Sequence, residues 1–112
     1  GDAGSKEKSK AALMLTYLRR KERPIPVTCL HLDAATAILH LPGETFIEFQ
    51  LHAQMSRRDA FVAVAGYGDL GPGYITLEQS FAEGGYEPTD AWVSGASEAI
   101  LRSAIDRVVK HP

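Results

Sequence analysis

Thr45-Phe46-Ile47-Glu48-Phe49-Gln50-Leu51-His52-Ala53-Gln54-Met55 decides the fold, because it reads two ways. Ile47, Phe49, Leu51, Ala53 and Met55 alternate with Glu48, Gln50, His52 and Gln54, which is the period of a half-buried strand. Thr45 followed three residues on by Glu48 is a reciprocal capping box, in which both side chains satisfy free backbone donors at a helix start. The box predicts a helix over 46–56. Glu44 would then stand just outside that helix, where exposed amides favour a negative charge.

Working outward, residues 27–32 are apolar and include β-branched Val27 and Thr28, 33–35 read as a turn, and 36–41 are apolar again, so two short strands precede the helix. After it, 60–65 form a continuous Val-rich run bounded by charge and Gly66, the signature of a buried strand. At the start, 5–22 read as a helix with Ala11, Ala12, Met14, Leu15 and Leu18 as an apolar stripe and Pro24 as the stop. Pro24 and Pro26 stiffen the connector. Thr76-Leu77-Glu78-Gln79 is a second capping box, predicting a short helix over 77–83 that ends at Gly84-Gly85. Ser94 caps a last helix, on which Ile100, Leu101, Ala104, Ile105, Val108 and Val109 recur on one face as core. The expected architecture is α/β, a small mixed β-sheet covered by helices in two layers.

The chain has 112 residues, 45% hydrophobic and 23% charged, without repeats or low-complexity tracts, which predicts one globular domain. A net charge of −2 gives no electrostatic footprint for nucleic acid, since the twelve Lys and Arg are scattered. Lys6, Lys8, Lys10, Arg19, Arg20, Lys21 and Arg23 concentrate near the start, and at helical spacing they read as a solvated face. No run approaches the ~18 apolar residues of a membrane span. Cys29 is alone, so no internal disulfide forms and the cysteine count does not decide a compartment. Gly1-Asp2-Ala3-Gly4 offers neither an initiator Met nor an apolar signal region, and the chain is expected to be part of something longer. Apolar surface normally covered by the remainder would then favour dimers.

Two glycine-flanked segments carry the chemistry. Leu41-Pro42-Gly43-Glu44-Thr45 holds a carboxylate, and Gly73-Tyr74-Ile75-Thr76 a phenol, with Tyr86-Glu87 twelve residues beyond Tyr74. Between them, 66–73 contain four glycines in eight residues, which permits close backbone approach to a ligand or serves as a plain connector. That loop has neither the glycine spacing of a dinucleotide fingerprint nor the Lys of a phosphate loop. His31 and His40 lie on the first two strands and read as packed or surface residues.

Pro42-Gly43-Glu44-Thr45, Gly73-Tyr74-Ile75-Thr76-Leu77-Glu78 and Tyr86-Glu87 together resemble the C-terminal part of the catalytic domain of the neutral/alkaline, non-lysosomal ceramidases, over residues 27–86. The stretch between Glu44 and Tyr74 is shorter than in that family. The resemblance implies zinc as cofactor, with Glu44 and Tyr74 as two of its ligands, and Tyr86 as a catalytic group near the scissile amide carbonyl. It also implies that the histidine ligands come from an upstream part of the same polypeptide, and that a lipid amide is the substrate. His31, His40 and His52 are not expected to replace those ligands, and the chain alone is expected to be inactive.

The residues read without the resemblance leave plainer alternatives. Glu44 serves as a helix-start carboxylate, and Tyr74 and Tyr86 as half-buried aromatics whose hydroxyls find a partner. Thr76 reads as a cap, while Tyr67 and Trp92 read as isolated packing aromatics. A non-catalytic α/β module for folding or association remains the alternative of a different class.

Overall fold

A computed structural model describes residues 2–68 and 71–110; Asp69 and Leu70 of the glycine loop, Gly1 and the last two residues lie outside the described residues. The elements are α1 (Asp2–Arg19), β1 (Thr28–Asp33), β2 (Thr36–Pro42), β3 (Glu44–Thr45), α2 (Ile47–Ser56), β4 (Phe61–Gly68), β5 (Tyr74–Ile75), α3 (Ser80–Glu83), α4 (Tyr86–Thr89) and α5 (Ser97–Lys110). The domain is mixed α/β.

Asp33 makes the first hairpin. Its carboxylate accepts the Ala35 N–H at 2.7 Å, a local side-chain turn that reverses the chain within two residues. β1 and β2 then pair antiparallel, with Leu30 opposite Ile38. The chain crosses over through α2, and β4 joins the other side of β2 in parallel, giving the sheet order β1-β2-β4. A second, two-stranded parallel sheet pairs β3 with β5.

Alternation along β2 buries Ala37, Leu39 and Leu41 on one face. On that face α2 contributes Phe49 and Ala53, β4 contributes Val62, and α5 contributes Leu101, Ile105 and Val109, which together with Ile75 form the core. The ambiguous segment is a helix, and its apolar alternation divides accordingly. Successive residues rotate by about 100°, so Phe49 and Ala53 share the buried side, while Ile47, Leu51 and Met55 fall on the other side and are exposed.

Buried Arg57 ties the layers together. Its guanidinium donates to the Val109 carbonyl at 3.3 Å, to the Ala34 carbonyl, and to Nδ1 of His31 at 3.2 Å. His31 therefore carries its proton on Nε2, which donates to the Val108 carbonyl at 2.9 Å. One side chain thus joins the β1–β2 turn to the end of α5.

Both capping boxes are replaced by other contacts. Thr45 belongs to β3, so its backbone is engaged with β5, and Phe46 occupies the position before α2 without a side-chain cap. Thr76 is fully buried and its hydroxyl donates to the Leu77 carbonyl at 3.3 Å, while α3 starts only at Ser80. The Glu78 N–H finds its acceptor in Glu98 at 2.7 Å instead. The first helix ends at Arg19, three residues before the expected boundary, and residues 20–23 continue as tight turns with Arg23 N–H on the Arg20 carbonyl at 2.8 Å.

Among the described residues, the helices cover one face of the three-stranded sheet only. Leu30, Leu32, Ile38 and Phe61 on the opposite face are exposed, and α1 buries no residue at all.

Candidate functional site

Gly43 starts the site. Its φ of +64° is left-handed, and a Cβ there would lie 2.6 Å from the Gly73 carbonyl oxygen, so only glycine fits. The turn it makes lets the Glu44 N–H donate to Gly73 O at 2.9 Å and the Phe46 N–H to Ile75 O at 3.1 Å. These bonds are the β3–β5 pair. Glu44 faces Tyr74 across it, and Thr45 faces Ile75. Directly opposed residues in a ladder project to the same side, so carboxylate and phenol are neighbours.

Tyr86 opens α4 and meets Tyr74 edge-on, with ring centroids 5.8 Å apart at 80°, an arrangement favoured by the ring quadrupoles. The structure therefore brings Glu44, Tyr74 and the ring of Tyr86 into one cluster. The Tyr86 hydroxyl, however, donates to Asp90 at 3.5 Å, and Asp90 is also paired with Lys10 of α1.

Sequence reading missed Tyr67. It sits at φ +61° within Gly66-Tyr67-Gly68, a conformation that costs a side-chain-bearing residue on the order of 1–3 kcal/mol. Its hydroxyl donates to Glu44 Oε1 at 3.4 Å, and its N–H donates to Gly43 O at 2.8 Å. Far from isolated, it lines a cavity of about 300 Å³ together with Gly43, Glu44, Gly71, Gly73 and Trp92. The flanking glycines were the available signal. Trp92 is fixed from behind by Tyr17, at 5.4 Å between ring centroids.

Burial pushes the Tyr74 hydroxyl above its ordinary pKa, and the negative charge of Glu44 adds to the shift, followed by Tyr86 and Glu87. The phenol thus keeps its proton through the neutral range and acts as a hydrogen-bond donor.

For a metal, Glu44 and Tyr74 offer two oxygen-bearing side chains, a carboxylate and a phenol. Among the described residues no group of three or more His, Cys, Asp and Glu is placed to hold a metal ion. Each histidine near the core has its own structural contact: His31 with Arg57, His52 with Asp106 at 3.0 Å, and His40 against Gly68, where a Cβ would lie 2.3 Å from the imidazole. A catalytic zinc takes three protein ligands and an open position. The carboxylate and the phenol suit part of such a set, and no described histidine stands beside them to complete it. In the comparisons with known proteins, no protein-family model, no curated protein and no solved structure matches the chain.

Proposed function

We propose that this chain is the C-terminal segment of a zinc-dependent amidohydrolase similar to the neutral ceramidases, contributing Glu44 and Tyr74 to the metal site and inactive by itself. The substrate class is the N-acyl amide of ceramide or a related lipid amide. The observation that carries this reading is the parallel β3–β5 pair, which sets a carboxylate and a phenol side by side with a second phenol against them.

Zinc, when bound, lowers the pKa of its water to ~7 and so supplies hydroxide near neutral pH. Glu44 brings a negative charge and Tyr74 an oxygen donor on the same side of a rigid ladder. Tyr86 is 66% exposed and is free to exchange Asp90 for a developing oxyanion, a hydrogen bond worth ~3 kcal/mol in comparable sites. In the longer polypeptide, Glu44→Gln or Tyr74→Phe should abolish zinc-dependent release of fatty acid from an N-acyl sphingoid substrate. Undiminished turnover in both variants removes the assignment. The alternative, a non-catalytic association module, is favoured by the uncovered face of the three-stranded sheet.

A further inference from the structure

We infer that the chain forms a two-fold symmetric homodimer in which the outward stripe of α1 from each copy covers the bare face of the other copy's three-stranded sheet. This does not depend on the amidohydrolase reading.

The first observation is the sheet. Leu30, Leu32 and Phe61 are 61%, 59% and 69% exposed, and Ile38 lies between Leu30 and Ala63 in the register. Parallel strand pairs such as β2–β4 are normally covered on both faces, and here, among the described residues, nothing covers the face away from α2 and α5.

The second is the helix. Lys6, Lys10 and Leu13 line a cavity with Gly73, Asp90 and Trp92, and Tyr17 packs on Trp92, so this side of α1 faces the body of the domain. At about 100° per residue, Leu15 falls on the opposite side and Leu18 turns away from the domain beside it, and both are exposed. Pinned by Tyr17 and by the Lys10–Asp90 pair, α1 is held away from its own sheet face. The Cα radius of gyration of 15.7 Å exceeds the ~13 Å of a compact domain of this length.

The two surfaces match in size and charge. α1 has 18 residues and β4 has 8, so both are roughly 27 Å long. Four sheet and two helix side chains, each presenting on the order of 100 Å² in its half-exposed state, offer roughly 600 Å² per protomer, against about 800 Å² per partner in a stable interface. Lys8 and Arg19 flank the stripe, and Asp33 and Asp59 flank the turn end of the sheet. In a two-fold arrangement each contact occurs twice, and a single chain supplies both halves.

Sedimentation equilibrium on the full chain at micromolar concentration should give a dimer. Leu15→Glu and Phe61→Lys, both at exposed positions, should each weaken association at least tenfold while leaving the circular dichroism spectrum unchanged. Mixing these two variants should restore a heterodimer, because one helix–sheet contact is then intact and the other places Glu against Lys. Leu51→Lys, on the exposed stripe of α2, should leave association unaffected. A monomer for the unaltered chain, no heterodimer on mixing, or dissociation caused by Leu51→Lys would each overturn the inference.

Discussion

Glu44 and Tyr74 stand directly opposite each other across the β3–β5 pair, joined through the Glu44 N–H to Gly73 O bond of 2.9 Å. Their neighbourhood is a property of the backbone, so a change that breaks the pair will separate them without touching either side chain. Gly43 is the place to break it. Gly43→Ala forces a Cβ to 2.6 Å from Gly73 O at a left-handed φ, and the expected loss of stability is about 1–3 kcal/mol, read from the urea midpoint at constant slope. A neutral Gly43→Ala would mean that β3 and β5 are not tightly paired.

Arg57 ties the sheet to α5 through three hydrogen bonds. Removing it leaves the carbonyls of Ala34 and Val109 and Nδ1 of His31 without their donor, and charge-assisted bonds are worth about 1.5–3 kcal/mol each. Arg57→Met keeps the apolar stem and loses only the bonds, so it isolates the polar contribution. About 2–4 kcal/mol of destabilisation is expected in chemical denaturation. A loss below half a kcal/mol would show that solvent replaces the guanidinium.

Much of this architecture is legible from the residues, and the exceptions have physical causes. Long apolar periods gave the hairpin, β4 and α5, because burial of a face imposes its period on the chain. The capping box at Thr45 and Glu48 predicted the right element for the wrong reason: Phe46 takes the cap position and Glu48 Oε2 is buried without a partner. Two-residue strands such as β3 and β5 have no period to read, since they exist through long-range pairing, and the four-residue α4 is barely one turn. Tyr67 read as an isolated packing aromatic for a similar reason, its contact with Glu44 being set by a positive φ that sequence pattern does not encode. The stripe on α1 was visible in the sequence, but which side of the helix meets the domain was not.

Asp106 should make stability pH-dependent in the acid range. Burial alone would raise its pKa, but the Ser56 hydroxyl at 2.8 Å, His52 and Lys110 outweigh it, and the net shift is downward from 3.8. A carboxylate with a depressed folded-state pKa contributes stability that is complete above its unfolded value and is lost as the pH falls through the folded one. Glu98 behaves likewise, held down first by the Glu78 N–H and then by Arg102 at 2.9 Å. Asp106→Asn should therefore flatten the stability profile below about pH 4 while Glu98 supplies the remaining slope. An unchanged slope in urea titrations across that range would remove Asp106 from the account.

Tyr74 offers a direct readout of its distance from Glu44. Its pKa is raised by burial first and by the Glu44 charge second, so the protonated phenol is favoured by the fold and the associated stability is present below pH 10 and is lost as the pH rises through the folded-state value. Glu44→Gln removes the negative neighbour and leaves the burial. Ultraviolet titration of tyrosinate, with Tyr74→Phe as the reference that identifies the signal, should show Tyr74 ionising at lower pH in Glu44→Gln than in the unaltered chain. The shift should shrink with added salt only modestly, because charges this close are poorly screened. A Tyr74 titration that ignores the substitution would mean that the two side chains do not share one side of the ladder, and the case for a shared site at Glu44 would fall with it.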